Sequence, residues 1–314
     1  MTNIFRGLCE QLLMSESELK SYISSVPFRY KRYYIPKRNS NELRLIAHPA
    51  KVVKSLQRHA VSKLEPLLPI HKCAMAYCKG KGIKENAYQH KNNRFLLKMD
   101  LRDFFGSINP SIFLGILQKH DLTLSKEDVF LLSNLFFWKL RRNSPLRLSV
   151  GAPSSPFVSN AIMYFFDKEL HEYCNDNDIV YTRYADDMTF STNKKDILFA
   201  LEKKVKAFLK QNFGSSLRVN NNKTIHSSTA HNRHVTGITI TNNKGISVGR
   251  NKKRKIRACV YSFKSGLLSN NDVLKLKGEL GFIKHIEPDF IINLTNKYGL
   301  DTIKKIQTFE SVDT

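Results

Sequence analysis

Residues 181–191, YTRYADDMTFS, set two adjacent carboxylates, Asp186 and Asp187, inside a run that otherwise favours β-strand. Like charges side by side resist burial, and strands tend to exclude Asp. The run therefore reads as strand–turn–strand with the acidic pair at the tip. Tyr181, Thr182, Arg183 and Tyr184 lead in, and Met188, Thr189, Phe190 and Ser191 lead out. A solvated turn explains such a pair cheaply. A cation between the side chains explains it differently.

A second acidic position bears on that choice. RFLLKMDLRDFF (94–105) begins as a buried strand and turns acidic at Asp100. If this strand pairs with the hairpin, carboxylates from two chain regions converge on one sheet edge. Hard oxygen ligands suit Mg²⁺, completed by substrate phosphates and water. Two such ions, about 3.5–4 Å apart, stabilise the attacking and leaving oxygens of phosphoryl transfer.

The charge balance points the same way. The chain carries 51 Lys+Arg against 27 Asp+Glu, a net +24, spread along its whole length rather than along one amphipathic helix. Nucleic acid is the partner that relieves such a charge, ahead of an anionic membrane. Charge alone leaves open a basic binding module without chemistry. With 314 residues, 41% hydrophobic and 11% aromatic, the chain has material for a real core and for about two domains. Five cysteines without framework spacing point to the cytosol, and Cys73 and Cys78 read as small core residues. The N-terminal residues lack the long apolar run of a secretory leader. No stretch reaches membrane-spanning length without charges.

Along the chain, residues 1–24 read as short helices, with Ser15 and Glu18 as a capping box. Residues 28–50 read as a hairpin around the polar turn KRNSNE, and 51–65 as a basic helix. CKGKGIKENAYQH (78–90) is a Gly/Lys loop entering a helix. Ser125 and Asp128 open an apolar helix expected to reach about Arg142. SVGAPSSP (149–156) is a turn leading into one helix to about residue 174, with Pro156 at its first position after Ser155. Ile197, Leu201, Val205 and Phe208 share a face of a helix over 194–213, stopped by Gly214. Residues 234–250 form a hairpin through Asn-Asn-Lys-Gly, and the rest is helical and basic. The composition shift near 249 marks a domain boundary, giving domains 1–249 and 250–314.

Together, KMDLRDFF (98–105), GAPSSP (151–156) and YADD (184–187) resemble, in order and spacing, the reverse transcriptase palm. The match runs from about residue 28 to 250. NAYQH (86–90) and VTG (235–237) are similar to signatures of the bacterial retron class. The resemblance implies an α+β right-hand polymerase fold: fingers, a palm of antiparallel sheet packed on helices, and a helical thumb. It implies Asp100, Asp186 and Asp187 as metal carboxylates for two Mg²⁺ ions, with the Leu101 carbonyl as an extra ligand. Phe105 falls where the family places a steric gate for the ribose 2′-hydroxyl, though alone it reads as a core Phe. Gly151, Ala152 and Pro153 would line the nucleotide pocket. Val150 stands where related enzymes often carry Gln.

Lys223 matches a basic residue that would assist the leaving pyrophosphate. Arg44 is the expected triphosphate contact from the fingers. For each of these two, a plain surface cation is the alternative. Asn86 and His90, at i and i+4, read as a structural or RNA-contacting signature. RNKKRKIR (250–257) offers Lys252, Lys253, Arg254, Lys255 and Arg257 to phosphates, with Tyr261 and Phe263 for stacking or packing.

The function implied is a retron RNA-directed DNA polymerase that copies part of its own non-coding RNA into a branched RNA–DNA molecule, msDNA. Its partners would be that structured RNA and its DNA copy, dNTPs and an effector protein encoded nearby, in anti-phage defence. The location would be the bacterial cytoplasm, with no membrane partner. The alternatives are a group II intron or diversity-generating type of reverse transcriptase, and an inactive basic RNA-binding protein. The first lacks support from the two retron signatures, the second from three intact carboxylates.

Overall fold

A computed structural model describes residues 3–37 and 42–310. The chain opens with α1 (Ile4–Leu12) and α2 (Glu16–Ser25), the latter held by the Ser15–Glu18 capping box. β1 (Tyr30–Pro36) and β2 (Leu43–Pro49) form an antiparallel hairpin that stands out from the body, with β1 almost wholly exposed. The expected polar turn at 38–41 lies outside the described residues. α3 (Lys51–Leu64) and α4 (Ile83–Gln89) follow, then β3 (Phe95–Leu101), α5 (Phe104–Ser107), α6 (Pro110–Lys119) and α7 (Lys126–Phe136). Next come α8 (Ser155–Ile162), α9 (Tyr164–Asp176), β4 (Val180–Tyr184), β5 (Asp187–Thr192), α10 (Ile197–Phe213) and β6 (Val219–Ser228). Three short strands, β7 (Arg233–Val235), β8 (Ile238–Ile240) and β9 (Ile246–Ser247), form a small sheet. Four helices end the described chain: α11 (Arg250–Lys264), α12 (Asn270–Ile286), α13 (Pro288–Tyr298) and α14 (Leu300–Thr308).

The central sheet is antiparallel, in the order β4-β5-β3-β6. Its apolar face packs on α9 and α10 through Met99, Met188, Phe190, Phe166, Leu201 and Val205, all fully buried or nearly so. A second core gathers Val235, Ile238, Ile240 and Val248 with Ile256, Val260, Leu280 and Ile283 of the last helices. Ala87 and Leu96 reach into it, so α4 and β3 join the two cores. Among the described residues no helix is long and apolar enough to cross a membrane.

Two helices depart from expectation. α7 ends at Phe136, not near Arg142, because Phe137 is extended and Trp138 pairs with Arg147 in an antiparallel bridge. That path buries both aromatic side chains. The single helix expected over 155–174 is two, α8 and α9, parted at Met163. Ser154 rather than Ser155 precedes α8, so Pro156 takes the second helical position.

Candidate active site

The strand register assembles the acidic row. Asp100 of β3 stands directly opposite Asp187 of β5. Ala185 and Asp186 make the two-residue turn between β4 and β5, with Ala185 in the left-handed region at φ 57°. The Leu101 N–H donates to the Asp186 carbonyl (3.0 Å), which locks the turn against β3. β3 pairs with β6 on its other side, and there the register jumps from Lys98↔Ile225 to Asp100↔Asn220. Lys223 sits in the segment left over by that jump. Irregularities of this kind re-aim side chains, and the Lys223 ammonium reaches Asp100 at 3.0 Å.

The electrostatics follow from crowding. Asp100 is buried, Asp186 is half-buried, and Asp187 opens to solvent. Burial pushes the Asp186 carboxyl up, and Asp100 adds to it. The protein mass around the cleft pushes Asp187 up to about 6 despite its open edge, with Asp186 and Asp100 adding repulsion. Desolvation opposes the Lys223 ammonium, but its hydrogen bond to Asp100 and the nearby carboxylates outweigh that and raise its pKa. Among the described residues no three His, Cys, Asp or Glu side chains close on a single point that would hold an ion. Asp100 is turned to Lys223 instead. The donor set itself, three mutually repelling carboxylates at one sheet end, suits a hard cation.

Beneath the turn lies a unit that sequence reasoning missed. Arg183 of β4 and Asp167 of α9 are both fully buried and paired through two nitrogens, at 2.9 and 2.6 Å. Both guanidinium NH₂ groups also donate to Asn160 Oδ1 (3.2 Å), and Nη1 donates to the Ala185 carbonyl (3.0 Å). Tyr181 donates to Asp167 (2.8 Å). Desolvation opposes the Arg183 charge, and Asp167 outweighs it. The signal was an Arg inside a strand that otherwise reads apolar, but nothing in the sequence pairs it with Asp167.

The other expected residues divide. Arg44 stands exposed on β2, with its charge felt at Asp186. Phe105 is half-buried, its ring centroid 5.4 Å from that of Phe104. Gly151 has φ 117°, and a Cβ there would lie 3.2 Å from Ile46 Cγ2 and 3.4 Å from the Ala47 carbonyl. Only glycine fits that approach. It sits beside the Ala47 N–H to Val150 carbonyl bond (3.1 Å), so the outer hairpin is pinned to the turn before α8. Ala152 is buried and Pro153 half-buried.

Of the two readings of Asn86 and His90, the structure favours the structural one over RNA contact, since both are buried, at 1% and 0% exposure. The Thr182 hydroxyl donates to Asn86 Oδ1 (2.6 Å), and His90 Nε2 and Nδ1 bond Thr182 and Ser191 (both 2.7 Å). Asn86 also reaches Thr236 of the VTG turn at 3.5 Å. The two side chains tie α4 to the hairpin strands.

In the last helical region, Lys253 is corrected. Its ammonium is paired with Glu287, whose other oxygen accepts from the Ser247 hydroxyl (2.9 Å) and the Val248 N–H (3.2 Å). Lys252 lies 4.4 Å from the Phe282 ring centroid and half-buried. Arg254, Lys255 and Arg257 are exposed on α11.

A carboxylate hairpin and a third carboxylate on an antiparallel sheet backed by helices, flanked by an outer hairpin and a helical region, define a right-hand nucleic-acid polymerase. Residues 35–240 match the family model of the reverse transcriptase, an RNA-dependent DNA polymerase. The chain is 47% identical over 282 residues to the retron Ec83 reverse transcriptase of Escherichia coli, covering 89% of this chain and 90% of that one. It is 30% identical to the retron Ec73 reverse transcriptase of the same species, with 98% of each covered. The fold recurs in solved telomerases from Candida albicans and Candida tropicalis, each with a fragment of telomeric RNA. Their TM-scores are both 0.50, at 12% and 14% identity over 90% and 95% of this chain. The chain spans 61% and 60% of those two proteins. It belongs to the reverse transcriptase family and, within it, to the retron type. It is thus an RNA-directed DNA polymerase with an RNA template as partner, in a family that depends on a divalent metal.

Proposed function

We propose that this enzyme copies part of a cognate structured RNA into branched RNA–DNA, msDNA. Synthesis starts from a 2′-hydroxyl of a guanosine within that RNA and continues from each new 3′-hydroxyl. The observation that supports this reading is the pairing of Asp100 with Asp187, with Asp186 in the adjoining turn and Lys223 beside them. Asp100, Asp186, Asp187 and the Leu101 carbonyl would hold Mg²⁺. Two such ions, when bound, supply the charge that lowers the hydroxyl pKa and neutralises the triphosphate.

The side chains divide the remaining work. Arg44 clamps the triphosphate from the fingers, while Gly151, Ala152 and Pro153 receive the new base pair. Phe105 excludes a ribose 2′-hydroxyl and so selects dNTPs. Lys223 gives its proton to the pyrophosphate as it leaves. Residues 1–249 act as fingers and palm. Residues 250–314 act as the thumb, where Arg254, Lys255 and Arg257 contact RNA phosphates. The enzyme works in the bacterial cytoplasm, in anti-phage defence, with an effector protein encoded nearby.

Purified protein incorporates dNTPs on an RNA template with Mg²⁺, and Asp187→Ala abolishes incorporation. Equal polymerisation by the alanine variant would refute the site. An inverted-repeat RNA gene beside the coding sequence tests the retron reading.

A further inference from the structure

Among the described non-glycine residues held at positive φ, four are Asp, a residue that tolerates the left-handed region. Tyr77 is the aromatic one, at φ 61°. For a bulky side chain this is an outlier with an energetic cost, and such strain persists only where the surroundings over-determine it. Here they do. The segment before Tyr77 runs parallel to β4, bridged at Ala74↔Arg183. The Met75 N–H donates to the Arg183 carbonyl (2.8 Å), and the Arg183 N–H to the Cys73 carbonyl (2.9 Å). Asn160 Nδ2 donates to the Ala76 carbonyl (2.9 Å), and Lys81 Nζ to the Ala74 carbonyl (3.2 Å). Residues 73–76 are buried.

At the end of this anchored segment the Tyr77 side chain comes out. It is 52% exposed and its phenol makes no hydrogen bond among the described residues. Core packing therefore does not account for the strained backbone. Burial pushes the Tyr77 phenol up first, Asp186 and Tyr184 push it further, and Arg44 opposes them. Asn160 grips Ala76, Arg183 grips the Ala185 turn, and the Arg183 NH₂ groups donate to Asn160 Oδ1. One buried unit thus sets Tyr77 and Asp186 in fixed relation. β4 is the edge of the sheet and β6 is its other edge. Lys223 closes the row of carboxylates on the Asp100 side, and Tyr77 closes it on the Asp186 side.

We infer that Tyr77 is a nucleic-acid contact, its ring face taking the sugar and base of the template–primer end held at the carboxylates. An aromatic ring suits every base, because each has a π-face. The contact is with the strand and not with the triphosphate, because an uncharged ring stacks on bases and sugars and offers no cation to phosphate oxygens. This rests on reading the three carboxylates as the polymerising site.

The test uses the full chain with Tyr77→Asn and Tyr77→Phe. Asn keeps the left-handed backbone without the ring, and Phe keeps the ring without the hydroxyl. Four quantities are measured: dissociation of a labelled RNA template–DNA primer duplex, the KM for dNTP, kcat and Tm. Tyr77→Asn weakens duplex binding about tenfold, leaves the KM for dNTP within about twofold, and melts no lower than wild type. Tyr77→Phe binds the duplex like wild type. Unchanged duplex binding by Tyr77→Asn overturns the inference. So does a fall in Tm with both affinities lost together, which marks a packing role. A wild type that binds duplex but fails to polymerise, with the Asn variant still weaker in binding, refutes the polymerase reading and leaves the contact standing.

Discussion

In the palm, three carboxylates are brought together by backbone register, and their supports are buried side chains with every partner in place. On α11, seven cations share one helix, and of the five expected to meet RNA the fold withdraws Lys253 onto Glu287 and lays Lys252 on Phe282 while leaving Arg254, Lys255 and Arg257 outside. The acidic site is therefore decided by pairing between strands, and the basic one by which face of a helix a residue occupies. Counting charges works poorly for both. It overstates the cations free to meet RNA, and it understates how strongly the palm must hold its like charges.

The comparison breaks first at Arg183. Arg183→Met strands the Asp167 carboxylate in the core, and removing one partner of a buried pair costs about 3–5 kcal/mol, read by urea denaturation. Wild-type stability in that variant would mean the palm is not held from beneath.

His90 supplies a pH signature for the same region. The Thr182 hydroxyl proton goes to Asn86, so His90 Nε2 must donate to Thr182, while Nδ1 accepts from Ser191. Burial pushes the His90 pKa down to about 3. The unfolded chain then takes up the proton first as pH falls. The stability His90 contributes is whole above about 6.5 and is lost as pH drops toward the folded value. The slope from this group is at most about 1.4 kcal/mol per pH unit. Denaturation of His90→Asn across pH 7 to 4.5 gives a shallower fall than wild type. Parallel curves would show that His90 is not held neutral.

The smallest effects separate the thumb cations. Lys253→Ala loses about 1–2 kcal/mol of stability, because Glu287 is left half-buried without its ammonium. It leaves the salt dependence of RNA binding as it was. Arg254→Ala or Lys255→Ala keeps stability within about 0.5 kcal/mol and lowers the slope of log K against log salt by about one. Filter binding over a salt series reads the difference, and a reversed pattern would exchange the two roles.

Much of the fold was legible because it is local. The Ser15–Glu18 box, the hairpin over 28–50, the strand ending at Asp100 and the YADD hairpin each declare themselves within about a dozen residues, by alternation, capping or turn chemistry. The three carboxylates were legible for the same reason, since each ends a run too apolar to carry a charge casually. Asn86 and His90 were half legible: the i, i+4 spacing says that they share a face and not that the face turns inward. The end of α7 was missed because Phe137 and Trp138 follow tertiary burial rather than helical period.

By itself the sequence determined the elements, the acidic hairpin and the excess of positive charge, because each depends on neighbours along the chain. Only the tertiary structure decided that Asp100 faces Asp187, that Lys223 is carried to them by a register jump, that Arg183 finds Asp167 from another element, and that the segment ending at Tyr77 is anchored alongside β4. Those relations join residues far apart in the chain, and only packing around a shared core sets the distance between such groups.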